Sequence, residues 1–364
     1  MPEKKKQHYV PKMLLKNFAN ENSDIIIYKR AENKILYDKP YSQQCQKDYF
    51  YGNDKIIEDT LGKFENIVDG IFKKILPITA EYELNKLDID DFVYLRAFVV
   101  SQYLRTHGMM ERTLTMSEDS RSQAKKIIAQ FHRFYDHDET DEEALERLMP
   151  KKNKKDVAKN NVIIAFKCYS SYSDLALLII DNKTDLNFIT SDDPVIEKNY
   201  YYPRRGFGLE LSGILYFLPI SIKKAILLID FNEYFKSFTQ YISITDELDI
   251  MKLNTWQFSK SNLLYSYDKN SLNITIKRCL DYINSQYIYA QKYIENEISK
   301  ENVFLSYDAI NMRVQEKLKN IEDFNKAIYD YVDEDNIPSF LCINDKIRSV
   351  GKKLYWGIPL RNSK

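Results

Sequence analysis

The spacing of hydrophobic and polar positions predicts a mainly helical first half of the chain. Hydrophobic residues recur at alternating four- and three-residue intervals from Ile57 to Ile75, the stripe of an amphipathic helix, and Pro77 ends it. A second helix is predicted to open at Asp88, because acidic residues fill the turn that follows and acids favour a helix N-terminus. The charged residues 117–149 continue the helical pattern.

The second half has the pattern of a buried sheet. Hydrophobic runs broken by turn residues extend over about residues 160–230, and such runs predict strands covered on both faces. The run Val162–Phe166 is interpreted as the first of these strands. Near the N-terminus, Ile25–Tyr28 and Lys34–Tyr37 flank a turn and predict a β-hairpin. The expected class is therefore α+β, with a mostly antiparallel central sheet flanked by helices.

These patterns divide the chain into one domain and an extension. Residues 1–299 are expected to form the α+β domain, with a helical part at about residues 53–150 and a sheet part at about residues 160–230. The lysine-rich run Lys151–Lys155 between the two parts is interpreted as an exposed linker. Residues 300–364 have the pattern of a charged helix and a tail, so we expect a C-terminal helical appendage that does not contribute to the site.

Composition narrows the class of protein without giving a function. The 364 residues are 44% hydrophobic and 29% charged, and 53 basic residues balance 53 acidic ones. No hydrophobic stretch reaches the roughly 18 residues of a membrane span, and the N-terminus lacks the apolar segment of a secretory signal, so a cytoplasmic protein is expected. The balanced charge weighs against broad, nonspecific nucleic-acid binding. The widely spaced cysteines are expected to be reduced thiols that hold no metal: Cys45, Cys168, Cys279 and Cys342.

Two neighbouring carboxylates, Asp192 and Asp193, stand where a buried strand gives way to a turn closed by Pro194. Functional side chains cluster at such strand ends, because a rigid element positions them. Metal binding or general-base chemistry is the functional interpretation. The alternative is turn formation, since Ser, Asp and Pro are ordinary turn residues.

The segment that follows combines aromatic, basic and glycine residues. Tyr201, Arg204 and Arg205 lie within it, and this composition suits a loop that stacks on bases and contacts phosphates. A surface loop in a tyrosine-rich protein is the alternative.

Polar residues in the first half offer partners for these acids. Gln102 and Arg105 extend the apolar stripe of their predicted helix, which indicates either an anion clamp or a structural ion pair. His8 could be a metal ligand or proton shuttle, or a histidine that bonds only to backbone. Glu58 and Glu65 share one helix face, where solvated carboxylates are the simpler interpretation, less so for Glu65.

Several of these residues stand in motifs that resemble a bacterial family catalogued as domain-of-unknown-function family 4238, known by its His-Tyr-Val-Pro motif. The matching motifs are His8–Pro11 leading into a Leu-x-x-Phe helix, the Arg105–Thr106 pair, residues 190–195, Leu218–Ser221, and Cys45 with Asp48 and Tyr49. The resemblance covers about residues 4–295, and Asp193 departs from it, since the family usually has asparagine there. It implies that His8, Arg105, Ser191 and Asp192 share one site.

A site with these residues has the groups needed for phosphodiester chemistry. His8, Arg105, Ser191 and Asp192 are the candidate catalytic residues, and Asp192 with Glu65 would hold Mg²⁺ or Mn²⁺. The candidate ligand-binding residues are Gln102, Tyr201, Arg204 and Arg205. The leading hypothesis is a nuclease or nucleotide phosphodiesterase, acting as a bacterial defence effector or a toxin on nucleic acid or a nucleotide. The alternatives are a non-enzymatic module that binds a phosphorylated ligand, a protein or a second copy of the chain, and a buried structural network.

Overall fold

The fold combines two main sheets and a short two-stranded pair with helices, which confirms the α+β class. The computed structural model describes residues 5–53, 55–134, 139–200, 208–234, 239–281 and 337–341. The helices are α1 (Lys12–Lys16), α2 (Lys55–Ile75), α3 (Ile89–Leu104), α4 (His107–Phe134), α5 (Asp141–Leu148), α6 (Lys154–Lys167), α7 (Phe231–Tyr234) and α8 (Glu247–Lys260), and residues 269–281 are also helical. The strands are β1 (Lys6–His8), β2 (Asp24–Lys29), β3 (Lys34–Pro40), β4 (Gln46–Asp48), β5 (Ala176–Asn182), β6 (Thr190–Ser191), β7 (Ile196–Asn199), β8 (Ile214–Pro219), β9 (Lys224–Ile229), β10 (Tyr241–Ile244) and β11 (Leu263–Ser266).

The larger sheet contains five strands in the order β10-β5-β9-β8-β7. Its strand pairs are antiparallel except β10 with β5, which is parallel. Every residue of β8 and β9 is buried, so the prediction of strands covered on both faces is confirmed. The hydrophobic core therefore lies on this sheet.

The second sheet connects distant parts of the chain. Its order is β3-β2-β11-β6, so the N-terminal hairpin predicted from the sequence is joined through β11 to the short strand that ends at Ser191. Leu264 of β11 pairs with Tyr28 on one side and with Ser191 on the other. This pairing brings the beginning of the chain beside the Ser191–Asp192 turn.

The helices of the first half confirm their sequence signals. The hydrophobic stripe from Leu61 to Ile75 is buried along α2. Asp88 caps α3 by accepting a hydrogen bond from the Asp91 backbone N–H, and Asp91 completes a capping box by accepting from the Asp88 N–H. These two helices carry Glu65 and Arg105 towards each other.

The strand predicted at residues 162–166 is wrong, because this run belongs to α6. Its buried residues follow helical spacing from Val157 to Ala165, while Ile164 between them is 45% exposed. The Lys151–Lys155 linker is also partly wrong, since Asn153 caps α6 and Lys154 begins it. A short apolar run does not distinguish a strand from one side of a helix.

Part of the C-terminal extension packs on α8. The Ser339 backbone N–H donates to Asp249 Oδ1 at 2.8 Å, and Lys252 Nζ donates to the Ile337 carbonyl at 2.9 Å. Leu341 is buried in the main core. Residues 282–336 and 342–364 lie outside the described residues, so the proposed domain division at residue 300 stays a prediction.

Candidate functional site

The N-terminal motif is fixed by main-chain and side-chain bonds on both sides of His8. β1 pairs antiparallel with β4, placing His8 opposite Gln46. Gln7 donates from Nε2 to the Gly52 carbonyl at 3.0 Å and accepts at Oε1 from the Tyr51 N–H at 2.7 Å. The position of His8 is therefore fixed by strand pairing and by the hydrogen bonds of its neighbour Gln7.

The imidazole of His8 is held in one tautomer. Its Nε2 lies 3.2 Å from the Ser42 carbonyl oxygen, which can only accept, so Nε2 carries the proton and Nδ1 of the neutral ring keeps a free lone pair. Burial lowers the pKa of His8, against a smaller raising effect of the Ser42 bond. Glu65 and Arg105 also act on this pKa, in opposite directions, which places both charges near the ring.

Arg105 is buried, with 1% of its surface exposed, and is bound on two sides. Its Nε donates to Gln102 Oε1 at 2.8 Å and its Nη1 to Glu65 Oε1 at 2.8 Å. Gln102 in turn donates from Nε2 to the Tyr9 carbonyl at 3.0 Å, so the arginine is connected to the N-terminal motif. The Nη2 of Arg105 is buried without a hydrogen-bond partner. A structural ion pair with Glu65 is thus present, and an anion clamp stays a prediction that depends on Nη2.

Ser191 is fully buried and organises the turn from within. Its Oγ donates to Gln257 Oε1 of α8 at 2.7 Å and accepts from the Asp193 N–H at 3.2 Å. Gln257 Nε2 also donates to the Pro194 carbonyl at 2.7 Å. These bonds give Ser191 the geometry of a positioning residue.

Asp193 attaches the turn to the start of α4. Thr106 Oγ1 donates to its Oδ1 at 2.8 Å, and Arg112 Nη1 lies 2.8 Å from its Oδ2. Gly108 leaves room for this carboxylate, since a Cβ there would lie 2.8 Å from Asp193 Oδ2. The aspartate that departs from the family pattern is therefore in a structural ion pair.

Asp192 has a different environment from its neighbour. Its Oδ1 accepts from the backbone N–H groups of Asn262 and Leu263, both at 3.1 Å, and no Lys or Arg pairs with it among the ion pairs of the described residues. Burial raises the pKa of Asp192 to about 6, and the nearby Asp193 adds to the rise, although both backbone bonds oppose it. This carboxyl group titrates close to neutrality.

A buried cluster of Tyr9, Cys45 and Tyr265 lies beside Asp192. Cys45 Sγ lies 3.2 Å from the Tyr265 hydroxyl, and the Tyr9 N–H donates to the Cys45 carbonyl at 3.0 Å. Burial raises the pKa of all three groups, and the Asp192 charge raises each further. Asp192 is therefore close to Tyr9, the residue that follows His8.

The structure brings the candidate residues into one region but not into direct contact. Among the described contacts, no hydrogen bond or ion pair joins the side chains of His8, Arg105 and Asp192 to one another; Gln102 and Tyr9 connect them. Sequence reasoning missed Gln257 and Tyr265 as parts of this region, and it named Cys45 only within a motif of the resembled family. The position of Gln257 between Trp256 and Phe258 was the available sequence signal, whereas nothing in the sequence of β11 linked it to the N-terminus.

The remaining sequence candidates receive different outcomes. Tyr201, Arg204 and Arg205 lie outside the described residues, so their ligand-binding roles stay predictions. No group of three or more His, Cys, Asp or Glu side chains that could hold a metal occurs in the described ranges. Glu65 and Asp192, the predicted Mg²⁺ or Mn²⁺ ligands, each have an oxygen engaged by a protein donor, so we derive no step through a metal. Cys45, Cys168 and Cys279 are free thiols, and Cys342 lies outside the described part.

Fold and site define an α+β protein in which an N-terminal His-Tyr-Val-Pro segment, beginning at the last residue of β1, lies beside a Ser-Asp turn of a second sheet. The chain belongs to the family described as Protein of unknown function (DUF4238), whose model matches residues 6–269. The matched range includes His8, Arg105 and Asp192. It ends before residues 337–341, the segment that packs on α8. Comparison with curated proteins and with solved structures finds no match. Of the helices that the structure describes, none has the length and hydrophobicity to cross a membrane.

Proposed function

We propose that this chain is a nuclease or nucleotide phosphodiesterase, with His8 as general base and Asp192 as general acid. The observation that carries the proposal is the opposite shift of two pKa values in one region. Burial lowers the pKa of His8 below its usual 6.5 and raises that of Asp192 to about 6. Neighbouring titratable groups whose pKa values are shifted by burial are typical of acid–base catalysts.

The proposed step uses the tautomer that the Ser42 carbonyl selects. His8 Nδ1 accepts a proton from an attacking water, whose oxygen forms a bond to phosphorus. The bond from phosphorus to the leaving oxygen breaks, and protonated Asp192 gives its proton to that oxygen. The sequence-based role of Asp192 was base or metal ligand, and the raised pKa supports the acid role instead.

Two further candidates act through other groups in this proposal. Arg105 orients Glu65 and Gln102, and its Nη2 amino group is left for a phosphate oxygen. Ser191 holds the turn that carries Asp192, through Gln257. We therefore treat Ser191 as a positioning residue.

Cleavage assays test the proposal directly. Wild type, Asp192→Asn and His8→Gln are incubated with labelled RNA, single-stranded DNA, duplex DNA and cyclic or linear nucleotides, with Mg²⁺ or Mn²⁺ and with chelator. We expect wild type to cleave at least one substrate and each variant to lose about a hundredfold or more in rate. Folded wild type that cleaves none of them would contradict the proposal.

A second candidate function is favoured by the engagement of two of the three guanidinium nitrogens of Arg105. Because its Nε and Nη1 are engaged by Gln102 and Glu65, the region also suits a non-enzymatic module that recognises a phosphorylated ligand or a protein. The wild-type module would bind its ligand without cleaving it, and the Arg105→Lys variant would bind the same ligand with lower affinity. A defence effector or toxin role belongs to the enzymatic proposal, and it requires growth arrest on expression of wild type but not of Asp192→Asn.

A further inference from the structure

An open groove lies beside the candidate site, between the chain that follows β4 and the first turns of α6. Its volume is about 520 Å³, within the range of small-molecule sites. Tyr51 and Gly52 lie on one side of it, and Lys154, Lys155 and Lys159 lie on the other. A groove of this size accommodates part of a nucleotide chain.

Lysines outnumber acids among the described residues that line the groove. Lys154, Lys155 and Lys159 line it with one acid, Asp156, which Asn153 engages at the start of α6. Lys154 also forms an exposed ion pair with Glu111, at 2.7 Å. Lys155 and Lys159 approach the groove from one helix face, four residues apart. Lys155 Nζ also lies 5.8 Å from the ring centre of Tyr49, so a cation and an aromatic ring stand together at its edge.

The wall of the groove is shared with the candidate site. Tyr51 lines the groove, yet its buried side chain lies near Arg105 and Glu65, which act on its pKa after the dominant raising effect of burial. Gln7, the neighbour of His8, bonds both Tyr51 and Gly52. A ligand in the groove would therefore lie against the backbone that fixes His8.

We infer that this groove binds the phosphates of a single-stranded nucleic acid and leads the strand to the candidate site. The inference rests on the proposed function for the identity of the substrate. Lysines in a groove follow a phosphate backbone without reading sequence, as in proteins that bind single strands. The balanced net charge of the chain is compatible with this, because the positive charge is local.

The test measures binding separately from cleavage. A labelled single strand of about twelve nucleotides, a usual site size, is titrated by fluorescence anisotropy into Asp192→Asn protein, alone and with the double substitution Lys155→Gln and Lys159→Gln. The matched control is Lys34→Gln with Lys126→Gln, two exposed lysines outside the groove. Each lysine–phosphate contact contributes about 0.7 to the slope of log affinity against log salt, so the groove variant should lose about 1.4.

We expect the groove variant to bind on the order of tenfold more weakly near 0.1 M salt, and the control to bind like the parent. This result would support nucleic-acid binding in the groove even if wild type cleaves no substrate. In that case only the proposed cleavage chemistry would be wrong. Equal binding by all variants, or no binding by any, overturns the inference. If wild type nevertheless cleaves nucleic acid, the chemistry stands without the groove. Poly-glutamate that competes as well as unlabelled oligonucleotide would also overturn it, because the groove would then not select nucleic acid.

Discussion

At the scale of single residues, the adjacent carboxylates of Asp192 and Asp193 differ in their bonding partners. Asp193 is paired with Arg112 and Thr106. Within the described residues, Asp192 has only backbone N–H partners, and burial raises its pKa to about 6. A carboxylate kept in such surroundings costs folding free energy at neutral pH. Residues that weaken the fold in this way are typical of functional sites.

The stability of Asp192→Asn should therefore rise at pH 7. Because the folded pKa of about 6 exceeds the ordinary 3.8, the protonated form stabilises the fold, and this contribution is lost as pH rises from about 4 to 6. Asparagine keeps the acceptor oxygen and removes the charge, for a gain of up to about 3 kcal/mol in unfolding free energy above pH 6. Denaturant unfolding at pH 4, 5 and 7 measures it. In the control variant, Asp193→Asn, the ion pair with Arg112 is lost, and the unfolding free energy should fall by about 1–2 kcal/mol.

The pH profile of cleavage gives the next residue-scale prediction. The active form needs neutral His8 and protonated Asp192, so kcat/KM should rise as His8 loses its proton, reach its maximum below about pH 6, and fall about tenfold per pH unit above pH 6. Initial rates from pH 4.5 to 8.5 give this profile. A rate that stays level from pH 6 to 8.5 would exclude Asp192 as the general acid.

At the scale of elements, the site depends on how the Ser191–Asp193 turn joins α4 and α8. Gly108→Ala should move the Asp193 carboxylate, because its Cβ would lie 2.8 Å from Oδ2. We expect a loss of about 1–3 kcal/mol in stability and lower activity. Gly70→Ala in α2 is the matched control, since its Cβ meets nothing within 4 Å, and it should gain about 0.5–1 kcal/mol. Thermal unfolding of both variants measures the difference; equal behaviour would contradict the packing described here.

The elements also show what the sequence could predict. The periodic stripe of α2 and the Asp88 cap of α3 were predicted because both signals are local. The strand at residues 162–166 was wrong because half-buried α6 carries a short apolar run whose packing partner, α3, is far away in sequence. Likewise, nothing in Leu263–Ser266 indicates that it pairs with both Tyr28 and Ser191. His8 and Asp192 could be nominated by their motifs, but their connection through β11, Tyr9 and Tyr265 required the fold.

At the scale of the whole molecule, the segment at residues 337–341 packs on α8, the helix that holds Ser191 through Gln257. A chain truncated after residue 299 should lose stability, because Leu341 leaves the core and Asp249 loses its Ser339 partner; about 2–4 kcal/mol is expected. Cleavage by the folded truncation should remain near the wild-type rate, since residues 337–341, the described part of the extension, contact no candidate catalytic residue. Unfolding curves and initial rates at 15 °C test both parts. A folded truncation without activity would place part of the site in the extension.

The most direct test of the account measures stability and cleavage of Asp192→Asn on the same preparation, beside wild type. At pH 7 we predict opposite changes in the variant: a higher unfolding free energy, and a cleavage rate reduced by about a hundredfold or more. A carboxyl group kept for chemistry gives this combination. Its ionised form costs folding free energy, and its protonated form donates the proton to the leaving oxygen. A turn-forming aspartate would give a variant with unchanged cleavage, and that result would contradict the central claim.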